Sequence, residues 1–202
     1  MRLRRLRRAE LPADTVALAR FLLGKIVVHD TRHGRLSGRI VETEAYPVGD
    51  AAGHAFRGMT ERNRALFLKR GHAYVYFAYG SCFLLNVTSE VAGVGAGALI
   101  RAIEPLEGIA AMERHRGTTR RLDLTRGPGR LAEALAIDLA QNGLDLCGAG
   151  PLWLASAGDP PRSIGASVRI GITRDADRVL RFYEHGTPFV SGPKRLRAER
   201  SS

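Results

Sequence analysis

Gly38-Arg-Ile-Val-Glu-Thr-Glu-Ala-Tyr46 reads as a β-strand. Period-2 alternation puts Glu42, Glu44 and Tyr46 on one face and Val41, Thr43 and Ala45 on the other. One face therefore carries two carboxylates and a phenol. A carboxylate turned toward a core is costly unless it is paired, so at least one of these is solvent-exposed or functional. A solvated sheet face is the plainer alternative, and the segment alone does not choose between them.

Working outward, Ile26-Val-Val28 is a second strand, joined to the first through the hairpin-type turn Arg32-His-Gly34. Upstream, Asp14 caps a helix whose apolar positions Val16, Leu18, Ala19, Leu22 and Leu23 repeat at helical spacing and stop at Gly24. Downstream, the pattern predicts a short helix over 62–69, two strands within 72–89 that turn near Gly80, and a third strand over 98–103. Pro105 is expected to end that strand and open a helix over 106–115. Gly127-Pro-Gly129 precedes a further helix over 130–137, and short strands follow at 167–172 and 179–183. Strands in hairpins mixed with helices predict a single α+β domain with a curved, mostly antiparallel sheet, flanking helices and a protruding hairpin. Residues 1–10 and 191–202 are expected to be flexible basic tails.

The chain of 202 residues suits one domain with a real core. Its 31 Lys+Arg against 20 Asp+Glu give a net charge of +11, and only 3 of the 31 are lysine. The excess of positive charge points to a polyanionic partner, and guanidinium suits bidentate contacts to phosphate. Coding bias could set the Arg:Lys ratio but does not account for the net charge. Cys82 and Cys147 are far apart and outside any CxxC spacing, which suggests neither a disulfide framework nor a zinc site. No apolar run approaches the roughly 18 residues of a membrane span, and Met1 to Arg8 lacks the apolar stretch of a secretory signal.

A second constellation is Tyr74-Val-Tyr-Phe-Ala-Tyr-Gly80, where Tyr74 and Tyr76 share a face and Tyr79 stands beside the glycine of the turn. An aromatic at a hairpin tip in a basic protein can wedge into a base stack, or it can pack on a neighbouring loop. Taken in order, Gly38 to Tyr46, His54, Arg62-Asn63, Tyr74 to Gly80, Asn86, Leu99-Ile-Arg-Ala-Ile-Glu-Pro-Leu-Glu-Gly108 and Gly127-Pro-Gly-Arg-Leu131 resemble the alkyladenine (3-methyladenine) DNA glycosylase family. The resemblance runs from about Leu18 to Val190, with several motifs at compatible separations.

The resemblance implies a monofunctional glycosylase that flips alkylated or deaminated purines (3-methyladenine, 7-methylguanine, hypoxanthine) out of double-stranded DNA and hydrolyses the N-glycosidic bond. Glu44 would be the general base, holding the attacking water and stabilising charge on the sugar. Arg101 would help to position that water, or alternatively form a structural salt bridge to a strand-face glutamate. Tyr46, His54 and Tyr76 resemble the walls of the base pocket, where stacking rewards a cationic alkylated purine. Asn86 matches a position that crowds the exocyclic amine of guanine. Tyr79 matches the intercalating tyrosine, and Arg62 and Arg130 match phosphate contacts, the latter at a helix start. Past the turn, Ser81 and Cys82 replace larger residues of mammalian members.

No metal and no cofactor is implied, a monomer is expected, and a membrane is not. The location would be cytoplasmic if the source is bacterial and nuclear if it is eukaryotic. Three other classes compete with hydrolysis. A noncatalytic basic nucleic-acid-binding module would leave the glutamates solvated. A lyase needs an amine nucleophile, yet Lys25, Lys69 and Lys194 lie outside every site motif. A metal-dependent nuclease needs converging carboxylates that the chain does not group.

Overall fold

The computed structural model describes residues 3–158 and 160–192. The expected strand around Glu44 is β3 (Gly34–Tyr46), thirteen residues long. Its length lets it serve three neighbours, all antiparallel. The first half pairs with β2 (Ile26–Thr31), the second half with β9 (Arg181–Glu184), and the opposite edge with β6 (Gly97–Glu107). The hairpin of β4 (Ala73–Ala78) and β5 (Cys82–Thr88) extends the sheet beyond β6, while β7 (Leu152–Ser156) and β1 (Arg4–Arg5) extend it beyond β2. β8 (Ile164–Ser167) pairs with β9. Seven strands run in the order β1-β7-β2-β3-β6-β5-β4, and the sheet is open. The α+β expectation holds.

α1 (Thr15–Leu22) forms where the sequence indicates, with the Asp14 side chain accepting from the Ala17 amide. It buries Leu18, Ala19 and Leu22 against the sheet, together with Met112 of α2 (Ile109–Arg116), Leu124 of α3 (Arg121–Leu124), and Leu131 of α4 (Pro128–Ala134). From the strands, Val27, Ile40, Val75, Leu85, Ile100 and Leu154 meet them. Each of the larger side chains contributes about 1.5–3 kcal/mol through burial, which anchors the thirteen-residue strand in the core. Alternation along β3 is nonetheless interrupted. The β3/β6 register slips on both sides of Glu42, as at a β-bulge, and Val41 packs with Ala102 and Phe189 instead of with the α1 core.

Several expectations need correction. Pro105 neither ends a strand nor opens a helix; it lies inside β6 opposite Gly38. The register slip between Ser37 and Gly38 sits at that point, so the missing N–H interrupts a ladder that is already irregular. The helix begins only after Gly108, whose φ of 79° makes the turn. The strand expected over 167–172 stops at Ser167, and the expected strand at 179–183 is shifted to Arg181–Glu184. β7 was not anticipated.

Residues 3–10 are not a tail. Arg4 and Arg5 pair with β7, the Leu6 amide donates to the Leu154 carbonyl at 2.9 Å, and Leu6 and Leu11 lie in the core. Arg4 makes two hydrogen bonds with Glu10, at 2.8 and 2.7 Å, and Arg5 stacks 4.1 Å from the Trp153 ring. Buried Leu6 within the basic run and Leu11 just after it decide this, because their burial outweighs the charge pattern. At the other end, Ser191 is buried against Glu42, and the rest of the tail expected over 191–202 falls beyond the described residues from 193 onward.

Candidate active site

β3 delivers Glu42, Glu44 and Tyr46 to one face, as the alternation indicates, and both carboxylates are fully enclosed. The solvated sheet face is therefore excluded. Arg101 of β6 joins them: its Nε donates to Glu42 Oε1 at 3.0 Å, and its Nη1 lies 3.1 Å from Glu44 Oε2. These contacts match the alternative reading of Arg101 as a structural salt bridge to the strand-face glutamates. Burial works against its charge, but Glu44 and Glu42 outweigh that and hold its pKa above the ordinary value.

The two glutamates have different surroundings. Glu42 also accepts from Arg181 Nε at 2.7 Å, the Ser191 amide at 2.7 Å and the Ser191 hydroxyl at 2.8 Å. It is the hub of a structural network that ties β9 and the segment at Ser191 to the sheet. Glu44 has fewer ties: Oε2 accepts from the Tyr46 hydroxyl at 3.0 Å, and Oε1 accepts from the Ile170 amide at 2.8 Å.

Tyr46 forms a wall of a cavity of about 120 Å³, which His54, Tyr74, Tyr76, Tyr79 and Asn86 also line. Tyr74 and Tyr76 stack at 5.3 Å between centroids, and His54 meets Tyr76 edge-on at 4.4 Å. His54 Nδ1 and the Tyr74 hydroxyl are 2.9 Å apart. Asn86 donates to the Tyr74 carbonyl at 3.1 Å, an anchoring bond that β4/β5 pairing makes possible. Burial, with the Arg62 charge adding to it, pushes the His54 pKa down, so the imidazole is neutral at neutral pH. Burial pushes the Tyr74 phenol up to about 12. Burial and the charge of Glu44 drive Tyr46 well above its usual value, so it remains a proton donor to that carboxylate. The chamber is aromatic, uncharged on its own walls and one hydrogen bond away from an anion.

Beside it, Tyr79 is 81% exposed at the β4/β5 turn, with φ of 54°. The pairing of β5 with β6 stops at Asn86, so the outer half of the hairpin leaves the sheet and is braced by α4, where Gly129 lies against Cys82. Most of Tyr79 is thus in solvent, with its hydroxyl near Gly171 of the loop that follows β8. Arg62 lines an adjoining groove with His54, Arg57 and Thr60, and donates to the Phe77 carbonyl at 3.1 Å.

The structure thus brings together Tyr46, His54, Tyr76, Asn86 and Tyr79 around one cavity, with Arg62 next to it. Glu44 and Arg101 stand directly behind Tyr46 and do not line it. Arg130 is set apart, 3.1 Å from Asp123, which Arg120 and Arg126 also approach. Residues that pattern reasoning missed are Ile170, whose amide holds Glu44, and the buried pair Asp50–Arg169 beneath Tyr46. A backbone amide leaves no mark in a sequence, and an Asp and an Arg 119 positions apart carry none as a pair.

A basic α+β chain with an aromatic cavity, a buried carboxylate behind its wall and an exposed tyrosine at its rim has the build of a DNA glycosylase. Residues 9–188 match the family model described as Methylpurine-DNA glycosylase (MPG), and the chain belongs to that family, among the glycosylases that act on alkylated purines in DNA repair. A protein of Mesorhizobium japonicum is 66% identical over 94% of this chain and 91% of its own length. Relatives from Paraburkholderia phytofirmans and Chlorobaculum tepidum are 50% and 49% identical, over 94% and 88% of this chain and 89% and 86% of their own lengths. Each of the three bears the name "Putative 3-methyladenine DNA glycosylase". Among the described residues, no helix is long and apolar enough to cross a membrane.

Proposed function

We propose that the protein binds double-stranded DNA as a monomer at a damaged purine, turns that nucleotide out into the Tyr46–Tyr76–His54 cavity, and hydrolyses its N-glycosidic bond with Glu44 as general base. The observation that carries this is the Tyr46–Glu44 hydrogen bond of 3.0 Å, which places a carboxylate immediately behind the wall on which a base would stack. For Glu44 to hold a water against the sugar, the Tyr46 hydroxyl or the Ile170 amide must release its bond, while the Arg101 guanidinium stays 3.1 Å from the carboxylate. A carboxylate so placed also stabilises the cationic charge that grows on the sugar.

Substrates are purines whose damage makes them cationic or weakens their pairing: 3-methyladenine, 7-methylguanine and hypoxanthine. Cationic bases gain from the aromatic walls, and poorly paired ones cost less to turn out. Tyr79 fills the vacated stack, and Arg62 holds a phosphate. No lysine lines the cavity among the described residues, which supports hydrolysis without a lyase step. The test is release of free base from lesion-bearing duplexes by the wild type and by Glu44→Gln. Loss of release in the variant supports catalysis by Glu44.

One observation favours a second reading. Glu44 is completely enclosed and ion-paired, which fits a structural carboxylate in a basic nucleic-acid-binding protein, although not the solvated glutamates expected of that module from the sequence. Equal release by wild type and Glu44→Gln, or none by either, selects it.

A further inference from the structure

Tyr46 has a second neighbour on the side away from the cavity. The Arg169 guanidinium lies 4.6 Å from the centre of its ring, fully buried, and is absent from the cavity lining. Asp50, also buried, holds that guanidinium through two contacts of 2.6 and 3.1 Å. Arg169 further donates to the Ala45 carbonyl at 3.1 Å and to the Asp175 carbonyl at 3.2 Å, so its position behind the ring is fixed from three sides. Arg178 approaches Asp50 at 3.3 Å but is partly exposed, which weakens its influence by solvent screening. The next residue after Arg169 is Ile170, whose amide holds Glu44.

An aromatic ring attracts cations on both faces. A guanidinium on the rear face and a cationic purine stacked on the front would be separated by about 8 Å, the sum of 4.6 Å and a stacking distance of roughly 3.5 Å. Unit charges at that distance in a partly dehydrated site repel strongly enough to change occupancy on the order of tenfold. Asp50 cancels the repulsion, because its charge lies directly against the guanidinium.

We propose that the Asp50–Arg169 pair is a specificity-determining unit: the balance of its two charges sets how strongly Tyr46 favours cationic over neutral purines. This rests on Tyr46 stacking the excised base, as proposed above. Asp50→Asn leaves an uncompensated cation behind the ring and shifts excision toward neutral bases. Arg169→Gln leaves an anion and shifts it toward cationic ones. Both residues act through Tyr46 and are positioning residues.

The experiment measures kcat/KM for release of cationic 7-methylguanine and of neutral hypoxanthine from otherwise identical duplexes, and compares their ratio among variants. Asp50→Asn is expected to lower the 7-methylguanine:hypoxanthine ratio, and Arg169→Gln to raise it, each by roughly three- to tenfold. Arg169→Lys keeps the charge and loses the planar stack, so both rates fall while the ratio stays within about twofold of wild type. Should either single variant fail to fold, the neutral double variant Asp50→Asn/Arg169→Gln decides, with a wild-type ratio expected. If the single variants slow both reactions in proportion, or if the double variant shifts the ratio, the pair is only a structural latch and the inference is overturned. A wild type that releases neither base overturns the reading of the site, and this inference with it.

Discussion

Glu42 and Glu44, two residues apart on β3, share the guanidinium of Arg101, yet only Glu44 adjoins the cavity wall. Glu42 accepts from two arginines and from both the amide and the hydroxyl of Ser191. Its neutralisation leaves Arg181 deep in the protein with a weakened partner, a defect of about 3–5 kcal/mol when a buried pair is broken. Glu42→Gln should therefore lower the unfolding midpoint markedly. Glu44→Gln leaves Arg101 still paired with Glu42, so stability should change little while base release is lost. Thermal unfolding and release assays on both variants check this division, and equal destabilisation by the two would contradict it.

At the hairpin tip, Tyr79 adopts a left-handed φ of 54° with most of its surface in solvent. A non-glycine residue there is strained and gains nothing from burial, so the conformation costs the fold stability. Tyr79→Gly should leave the unfolding free energy unchanged or slightly raised, since glycine accepts this φ freely. Binding to a lesion duplex should weaken by tenfold or more, roughly the scale of a lost base-stacking contact. Retained affinity would remove Tyr79 from the interface.

The strands and the helix around the site were legible because their signals are local: alternation in β3, β4 and β5, the Asp14 cap, and Gly80 at the turn. Fold class and the shared strand faces of the tyrosines follow from those, whereas the pocket role of Tyr46 and Tyr76 rests on the family resemblance. Pro105 misled because a bulge opposite Gly38, invisible in one strand alone, removes the cost of proline within a ladder. The segment beyond Ser167 misled for the opposite reason. Its polar groups leave the sheet to serve the site, with the Ile170 amide on Glu44 and Arg169 on Asp50, so strand-like composition there does not make a strand. The closed state of Glu44 was equally hidden, because three of its partners come from β6, from β3 itself and from a loop more than 120 residues away.

Phosphate contacts should separate by their existing partners. Arg62 is exposed and hydrogen-bonds a carbonyl, whereas Arg130 is held by Asp123. Displacing a carboxylate offsets part of what a phosphate contact contributes. Affinity for duplex DNA should fall steeply with salt, and Arg62→Ala should reduce the slope of log K against log salt by about 1. Arg130→Ala should change it less. Fluorescence titrations across salt concentrations measure both, and an unaltered slope for Arg62→Ala would take it off the phosphate path.

His54 gives the site an acid limit. Its pKa is depressed by burial and then by Arg62, so the folded pocket favours the neutral ring. A depressed histidine leaves the folded state unburdened above the unfolded value of about 6.5, and the penalty grows as pH falls below it. A protonated ring in the wall also repels a cationic base. Release of 7-methylguanine should therefore decline on acidification below the ordinary histidine range, and His54→Gln should flatten that decline while lowering the rate at neutral pH. A pH profile identical in wild type and variant would assign the acid limb to another group.

The N-terminal segment offers the last test, because its basic composition and its packing predict opposite results. As a frayed tail, Leu6 could be changed at a cost within about 0.5 kcal/mol, as for most surface sites. In the structure Leu6 is buried, its amide completes a bond to Leu154, and it adjoins a strand paired with β7. Removing that side chain opens a cavity under the sheet edge, and Leu6→Ala should cost about 2–5 kcal/mol. Urea unfolding at constant slope measures it, since a shifted midpoint without a changed slope reports stability alone. Arg4→Ala breaks only an exposed pair with Glu10 and should leave the midpoint nearly where it is, so the two variants together separate packing from charge in the same ten residues.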